Sequence, residues 1–261
     1  MTAILLPHGR TPARRRFLAE VGAIGLLFAC APLLRAEPRI ASAGDVRHWL
    51  DQIDTLSRQL RENELTSARW RTEIDALNAA TPLTEFLPQL QFDRALKAMQ
   101  RAGKDPAKTF IRLNDIDAGP ARAAFAVAYF VFAKGQVITP HGHCGMVSAH
   151  AVVSGCLHAR TYDRLGRGSD ALRLRPRLDT QARPGFSAAI SANEGNVHWF
   201  VAERDASATL DVIVQDIDAN GREFAIELVD PLAAKPDADG IIRAPLLSWE
   251  ESSRRYQGVA G

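Results

Sequence analysis
From Asp45 onward, apolar residues recur every three or four positions: Val46, Trp49, Leu50, Ile53, Leu56 and Leu60. That spacing gathers them on one face of an amphipathic helix. A second run through Trp70, Ile74 and Leu77 repeats the pattern, and a third over 92–102 stops at Gly103, as helices do. An apolar stripe of this kind belongs against a core, so the helices are expected to pack on something larger. Beyond Lys108 the texture changes to short β-type runs separated by Gly, Pro, Asn and Asp. Eight strands are expected, near 109–113, 123–133, 147–153, 156–162, 171–178, 198–202, 208–214 and 223–228. Short strands in such succession predict a mainly β sandwich or barrel. After Pro231, Pro236 and Pro245 a short helix is expected around 249–256.

The first residues have a different logic. Arg14, Arg15, Arg16, Phe17 and Leu18 precede an apolar run over 21–29, the arrangement of a twin-arginine export signal. The run is shorter than the roughly 20 residues that a spanning helix needs. Cleavage after Ala36 leaves a soluble periplasmic protein, while Leu27-Phe28-Ala29-Cys30 offers a lipoprotein ending that would tether it to a membrane through Cys30. The organisation expected is therefore a signal over 1–36, a helical region over 37–104, a barrel over 105–230 and an extension over 231–261. Residues 1–36 hold five arginines and one glutamate, so their removal turns the net charge from +2 to −2. That balance gives no basis for a nucleic-acid partner. With 46% hydrophobic residues the remainder can bury a core.

Candidate chemistry is concentrated between Gly135 and Asp163. His141 and His143 are two apart, and on a strand that spacing sends both imidazoles to one face, as one metal ion requires. His150 reads as a fourth ligand or as a hydrogen-bonded barrel histidine. A hairpin turning at Ser154-Gly155 keeps Cys144 far along the strand from Cys156, beyond the reach of a disulfide. Arg112, Arg160, Arg173 and Arg175 lie on expected strands, where solvated faces are the default and a bound substrate carboxylate the alternative.

Gly135, five residues, His141-x-His143 and then Gly155 resemble the first motif of the cupin superfamily. The resemblance implies a double-stranded β-helix barrel, here with N-terminal helices, and Ser148 stands where the superfamily's usual glutamate ligand would fall. More narrowly, His141-x-His143-x-Gly145-Met146, Gly155-x-x-His158 and Tyr162-Asp163 resemble the thiol dioxygenases that include 2-aminoethanethiol dioxygenase and the plant cysteine oxidases. Gly195-Asn196-Val197-His198 resembles the segment carrying that family's third iron ligand, and Leu210-Asp211-Val212-Ile213 the strand after it. The resemblance implies Fe(II) on His141, His143 and His198, with Tyr162 and Asp211 as further active-site candidates, Asp211 by orienting a ligand imidazole. It also implies that O2 and a small thiol, or an N-terminal cysteine, are the substrates and a sulfinic acid the product. A three-histidine dioxygenase acting on a carbon–carbon bond and a non-catalytic metal- or ligand-binding module remain as alternatives.

Overall fold
Ser42 starts the first helix: its hydroxyl accepts from the Asp45 amide, and the Asp45 carboxylate accepts from the Ser42 amide. Two amides without helical partners are thereby satisfied. The computed structural model describes residues 41–116, 123–217 and 224–257. The expected export signal and Cys30 lie outside the described residues. Helix α1 (Ala43–Arg61) buries Val46, Trp49, Leu50, Ile53 and Leu60, and α2 (Ser67–Ala80), capped by Thr66, buries Trp70 and Ile74. Short α3 (Leu83–Phe86) and α4 (Phe92–Met99) complete the helical layer. No described helix is long and apolar enough to cross a membrane.

The strands are β1 (Ala107–Phe110), β2 (Ala126–Phe132), β3 (Val137–Cys144), β4 (Met146–Ser154), β5 (Leu157–Arg167), β6 (Ala171–Ala182), β7 (Ser187–Ile190), β8 (Val197–Ala202), β9 (Ser207–Gln215), β10 (Ala225–Leu228) and β11 (Ile242–Pro245). They form two antiparallel sheets, one in the order β1-β2-β9-β4-β7 and one in the order β10-β3-β8-β5-β6-β11. Apart from β1–β2, β5–β6 and β10–β11, strands adjacent in sequence lie in opposite sheets, and β2-β9-β4-β7 faces β3-β8-β5-β6. This is the jelly-roll order of a double-stranded β-helix. Beyond the eight expected strands, β3, β7 and β11 are present, and β11 brings part of the expected C-terminal extension into the six-stranded sheet. Helix α5 (Trp249–Tyr256) follows, its Tyr256 hydroxyl donating to Asp230 at 2.7 Å.

The five-stranded sheet is buried on both faces, so β4 and β9 are covered along almost their whole length. Val147, Ala149, Leu210 and Val212 face outward and join Trp49, Trp70 and Ile74 in one core. Each fully buried large side chain there contributes about 1.5–3 kcal/mol. Polar contacts hold the layers together: Asp75 of α2 accepts from the Ser187 hydroxyl and the Ala189 amide of β7 at 2.8 and 2.9 Å, and Asn78 of α2 accepts from the Trp49 indole of α1 at 3.3 Å. The alternate residues Met146, Ser148, His150, Asp211 and Ile213 point the other way, into the barrel.

Candidate metal centre
His141 and His143 come from β3 and His198 from β8, and the antiparallel register puts His141 directly opposite His198. Residues so paired have close Cβ atoms, and the two rings lie 4.3 Å apart between centroids. His143 is 4.7 Å from His141 and 5.2 Å from His198 in the same measure. One nitrogen from each of the three side chains lies within 4.8 Å of the others, a group able to hold a metal ion.

Their protonation suits that role. Burial lowers the His141 pKa to about 4 and holds His143 and His198 well below the usual imidazole value, each of the latter further depressed by its histidine neighbours. All three are therefore neutral near pH 7. Nδ1 of His141 donates to the Thr139 carbonyl at 2.8 Å, and Nδ1 of His198 to the Asn196 carbonyl at 3.2 Å. Those bonds fix the tautomer that leaves the Nε2 lone pair free for a metal. His143 has a buried Nδ1 with no hydrogen-bond partner, the kind of orphaned nitrogen that an ion or its coordinated shell satisfies. The donor set fits iron, zinc, copper or nickel.

The backbone around His143 is held by Asn196, which sequence reasoning did not single out. Its Oδ1 accepts from the His143 amide at 3.2 Å, and its Nδ2 donates to the carbonyls of His143 and Ser191, both at 3.0 Å. A Cβ on Gly142 would sit 2.8 Å from that Oδ1, so only glycine lets β3 approach the amide so closely. Asn196 is fully buried, and its partner lies 53 positions away in sequence.

His150 reaches the site from the opposite sheet, 4.7 Å from His198 between centroids. Both its nitrogens have partners: Nδ1 with the Asp211 carboxylate at 2.8 Å and Nε2 with the Ser148 hydroxyl at 3.0 Å. It is a hydrogen-bonded barrel histidine. Asp211 accordingly orients His150 and none of the three clustered imidazoles, a correction that follows from its register opposite His150 on β4. Tyr162 is also corrected. It pairs with Val197, one residue beyond the Thr161–His198 pair, so strand alternation sends its ring away from the barrel interior to pack with Leu172, Leu174 and Val197, where burial raises its phenol pKa.

The histidines open on a cavity of about 210 Å³ whose walls include Phe130, Ile138, Ile213, Phe224 and Ile226. Lys108 of β1 stands at this cavity, a residue missed because its short edge strand carries no apolar alternation. His143 and Met146 also border a wider cleft of about 460 Å³ with Cys144 and Arg164 on its wall. Cys144 and Cys156 are unpaired, as the hairpin spacing predicts. The Arg164 guanidinium lies 3.3 Å from the Cys144 sulfur. His158 pairs with Asp179, and Arg160 stacks on Trp199 while bonding the same carboxylate, all outside the barrel. Arg173 and Arg175 are exposed, and the exposed Arg112 reaches Asp115.

A double-stranded β-helix thus sets three neutral histidines beside a small cavity, a group able to hold one metal ion. The PCO_ADO family model, that of cupin-fold thiol dioxygenases, matches residues 87–215, from the residue after α3 to the end of β9, and supports that family. His141, His143, His198 and Lys108 all fall within the match. No individually curated protein matches the chain. Among solved structures it is similar to KdgF from Halomonas sp., with 15% identity over 46% of this chain and 86% of that one and a TM-score of 0.32. It is similar to an uncharacterized conserved protein with a double-stranded β-helix domain from Klebsiella pneumoniae, with 16% identity over 51% and 92% and a TM-score of 0.34. The recombinant pro-11S globulin of pumpkin is matched at 12% identity over 49% of this chain, which spans 29% of that one, with a TM-score of 0.34.

Proposed function
We propose that the chain is an iron-dependent thiol dioxygenase, exported by the twin-arginine route, that converts a thiol and dioxygen to a sulfinic acid. The balance is R–SH + O2 → R–SO2H: both oxygen atoms end on sulfur, the thiol is oxidised, dioxygen is reduced and no further reductant is needed. The observation that carries this reading is the convergence of His141, His143 and His198, all neutral and buried, on a small apolar cavity inside the segment that matches the thiol dioxygenase model.

Bound Fe(II) supplies Lewis acidity toward a thiol and the redox capacity that dioxygen chemistry requires. The chain's own residues do the rest. His141, His143 and His198 would hold the ion on one face and, being uncharged, cancel none of its attraction for an anionic sulfur. Thr139 and Asn196 fix two of the rings through their carbonyls. Phe130, Ile213 and Phe224 give the cavity apolar walls, which strengthens the electrostatics inside it. A non-catalytic module would have His150 fill an open position, but its two nitrogens are committed to Asp211 and Ser148.

The test is product analysis under isotopically labelled dioxygen with the iron-loaded protein. The expected product is a sulfinic acid carrying two labelled atoms. A disulfide as the only product, or label from water, contradicts the reading.

A further inference from the structure
We propose that the cavity takes a small thiol that also bears a carboxylate, and that Lys108 binds that carboxylate. The inference rests on the thiol dioxygenase reading and names its substrate class.

Lys108 lies directly across from Phe130 in the β1–β2 ladder, and paired residues share a face. Phe130 belongs to the inner face, where it packs with the barrel residues Phe132 and Phe200. An edge strand thus turns a lysine toward the barrel interior rather than to bulk water. The ammonium rests against two aromatic rings, 4.7 Å from the Phe110 centroid and 5.2 Å from that of Phe130. Cation–π contacts of this kind hold the side chain in place. Among the described residues Lys108 forms no ion pair. Burial lowers the Lys108 pKa, and the charge of the nearby cavity-wall carboxylate Asp211, itself bonded to His150, offsets part of that lowering.

The charge balance of the site points the same way. Three neutral imidazoles bring no negative charge, and the carboxylate on the wall, Asp211, is bonded to His150, which leaves Lys108 as the cationic side chain of the cavity lining. A substrate with an anionic sulfur at one end and a carboxylate at the other matches both poles. An amine-bearing thiol such as 2-aminoethanethiol instead brings a second ammonium toward Lys108, which is repulsive in a partly desolvated site. Size agrees, because about 210 Å³ lies below the range of roughly 300–1,000 Å³ typical of ligand pockets. A short carboxylate thiol fits within it, whereas a peptide would have to trail out past Lys108.

The experiment compares 3-mercaptopropionate, 2-aminoethanethiol and a peptide with N-terminal cysteine on the iron-loaded protein, as wild type, Lys108→Met, Lys108→Glu and Lys108→Arg. Wild type should favour 3-mercaptopropionate by about tenfold or more in kcat/KM, the scale of one charge-assisted contact. Lys108→Met should raise KM for 3-mercaptopropionate about tenfold, with the loss falling on KM rather than kcat. It should improve 2-aminoethanethiol, and Lys108→Glu should invert the preference. Lys108→Arg should restore it. A wild-type preference for the amine or the peptide, or equal KM values across the variants, overturns the proposal. Anaerobic calorimetric titration with 3-mercaptopropionate separates the two failures. If the wild type binds but oxidises no thiol, and Lys108→Met loses the binding, the dioxygenase reading fails while the carboxylate site stands. Equal binding by both sinks the site alone.

Discussion
Replacing Asn196 with alanine should uncouple the metal centre from the barrel. The substitution removes the acceptor of the His143 amide and the donor to the carbonyls of His143 and Ser191, all inside a fully buried site. Each buried group stripped of its partner costs about 1–3 kcal/mol, with amides toward the upper end and carbonyls toward the lower. One amide near the upper end and two carbonyls near the lower sum to about 5 kcal/mol, the bottom of the 5–15 kcal/mol of a typical domain. The variant should therefore be only marginally folded, with its urea midpoint far below that of wild type at an unchanged slope. Because the lost contacts flank His143, metal affinity should fall as well, by about tenfold or more, as when groups supporting a ligand are removed. Asn196→Asp keeps the acceptor but sets a buried carboxylate oxygen against the His143 and Ser191 carbonyls, and should be destabilised at least as much. A stability change below about 1 kcal/mol together with unaltered metal affinity would refute the clamp.

His150→Ala should leave metal content near the wild-type level but cost about 3–5 kcal/mol, because it abandons the buried Asp211 carboxylate; metal analysis and denaturation read the two effects separately. For the apo-protein, folding depresses the pKa of His141 from 6.5 to about 4 and those of His143 and His198 as well. The unfolded chain then binds more protons below pH 6.5, so stability should be fully present above that value and decline as pH falls toward about 4. A denaturation midpoint flat over this window contradicts the burial argument. Trp70→Ala, in the core between α2 and the five-stranded sheet, should lose about 3–5 kcal/mol without altering metal affinity in the surviving folded fraction.

Helix faces were legible because burial imposes a period: Trp49, Leu50, Ile53, Trp70 and Ile74 face the core as their spacing requires. Strands β4 and β9 were legible as short β-type runs. Strand β3 was not among the expected strands, since Thr139, Pro140, His141 and Gly142 show no apolar alternation, yet the two-residue step between its histidines still put them on one face. What failed depended on register. Thr161 is the β5 residue paired with His198, so its neighbour Tyr162 falls on the other face, and only the register of β5 against β8 reveals which of the two faces inward. The bond from His150 to Asp211 joins residues 61 apart, and no local pattern records it. Asn196 and Lys108 were hidden for the same reason, one meeting β3 across the sheet and the other turned inward by its pairing with Phe130.

The proposed centre is an iron held by His141, His143 and His198 that oxidises a thiol. The direct test measures iron content and thiol-dependent oxygen uptake on one preparation of wild type and one of His198→Ala. Wild type should hold close to one iron per chain and consume one O2 per thiol oxidised, and His198→Ala should lose both iron and uptake. Iron-loaded wild type that consumes no oxygen with any thiol, or a His198→Ala protein that keeps its iron and its activity, would contradict the claim.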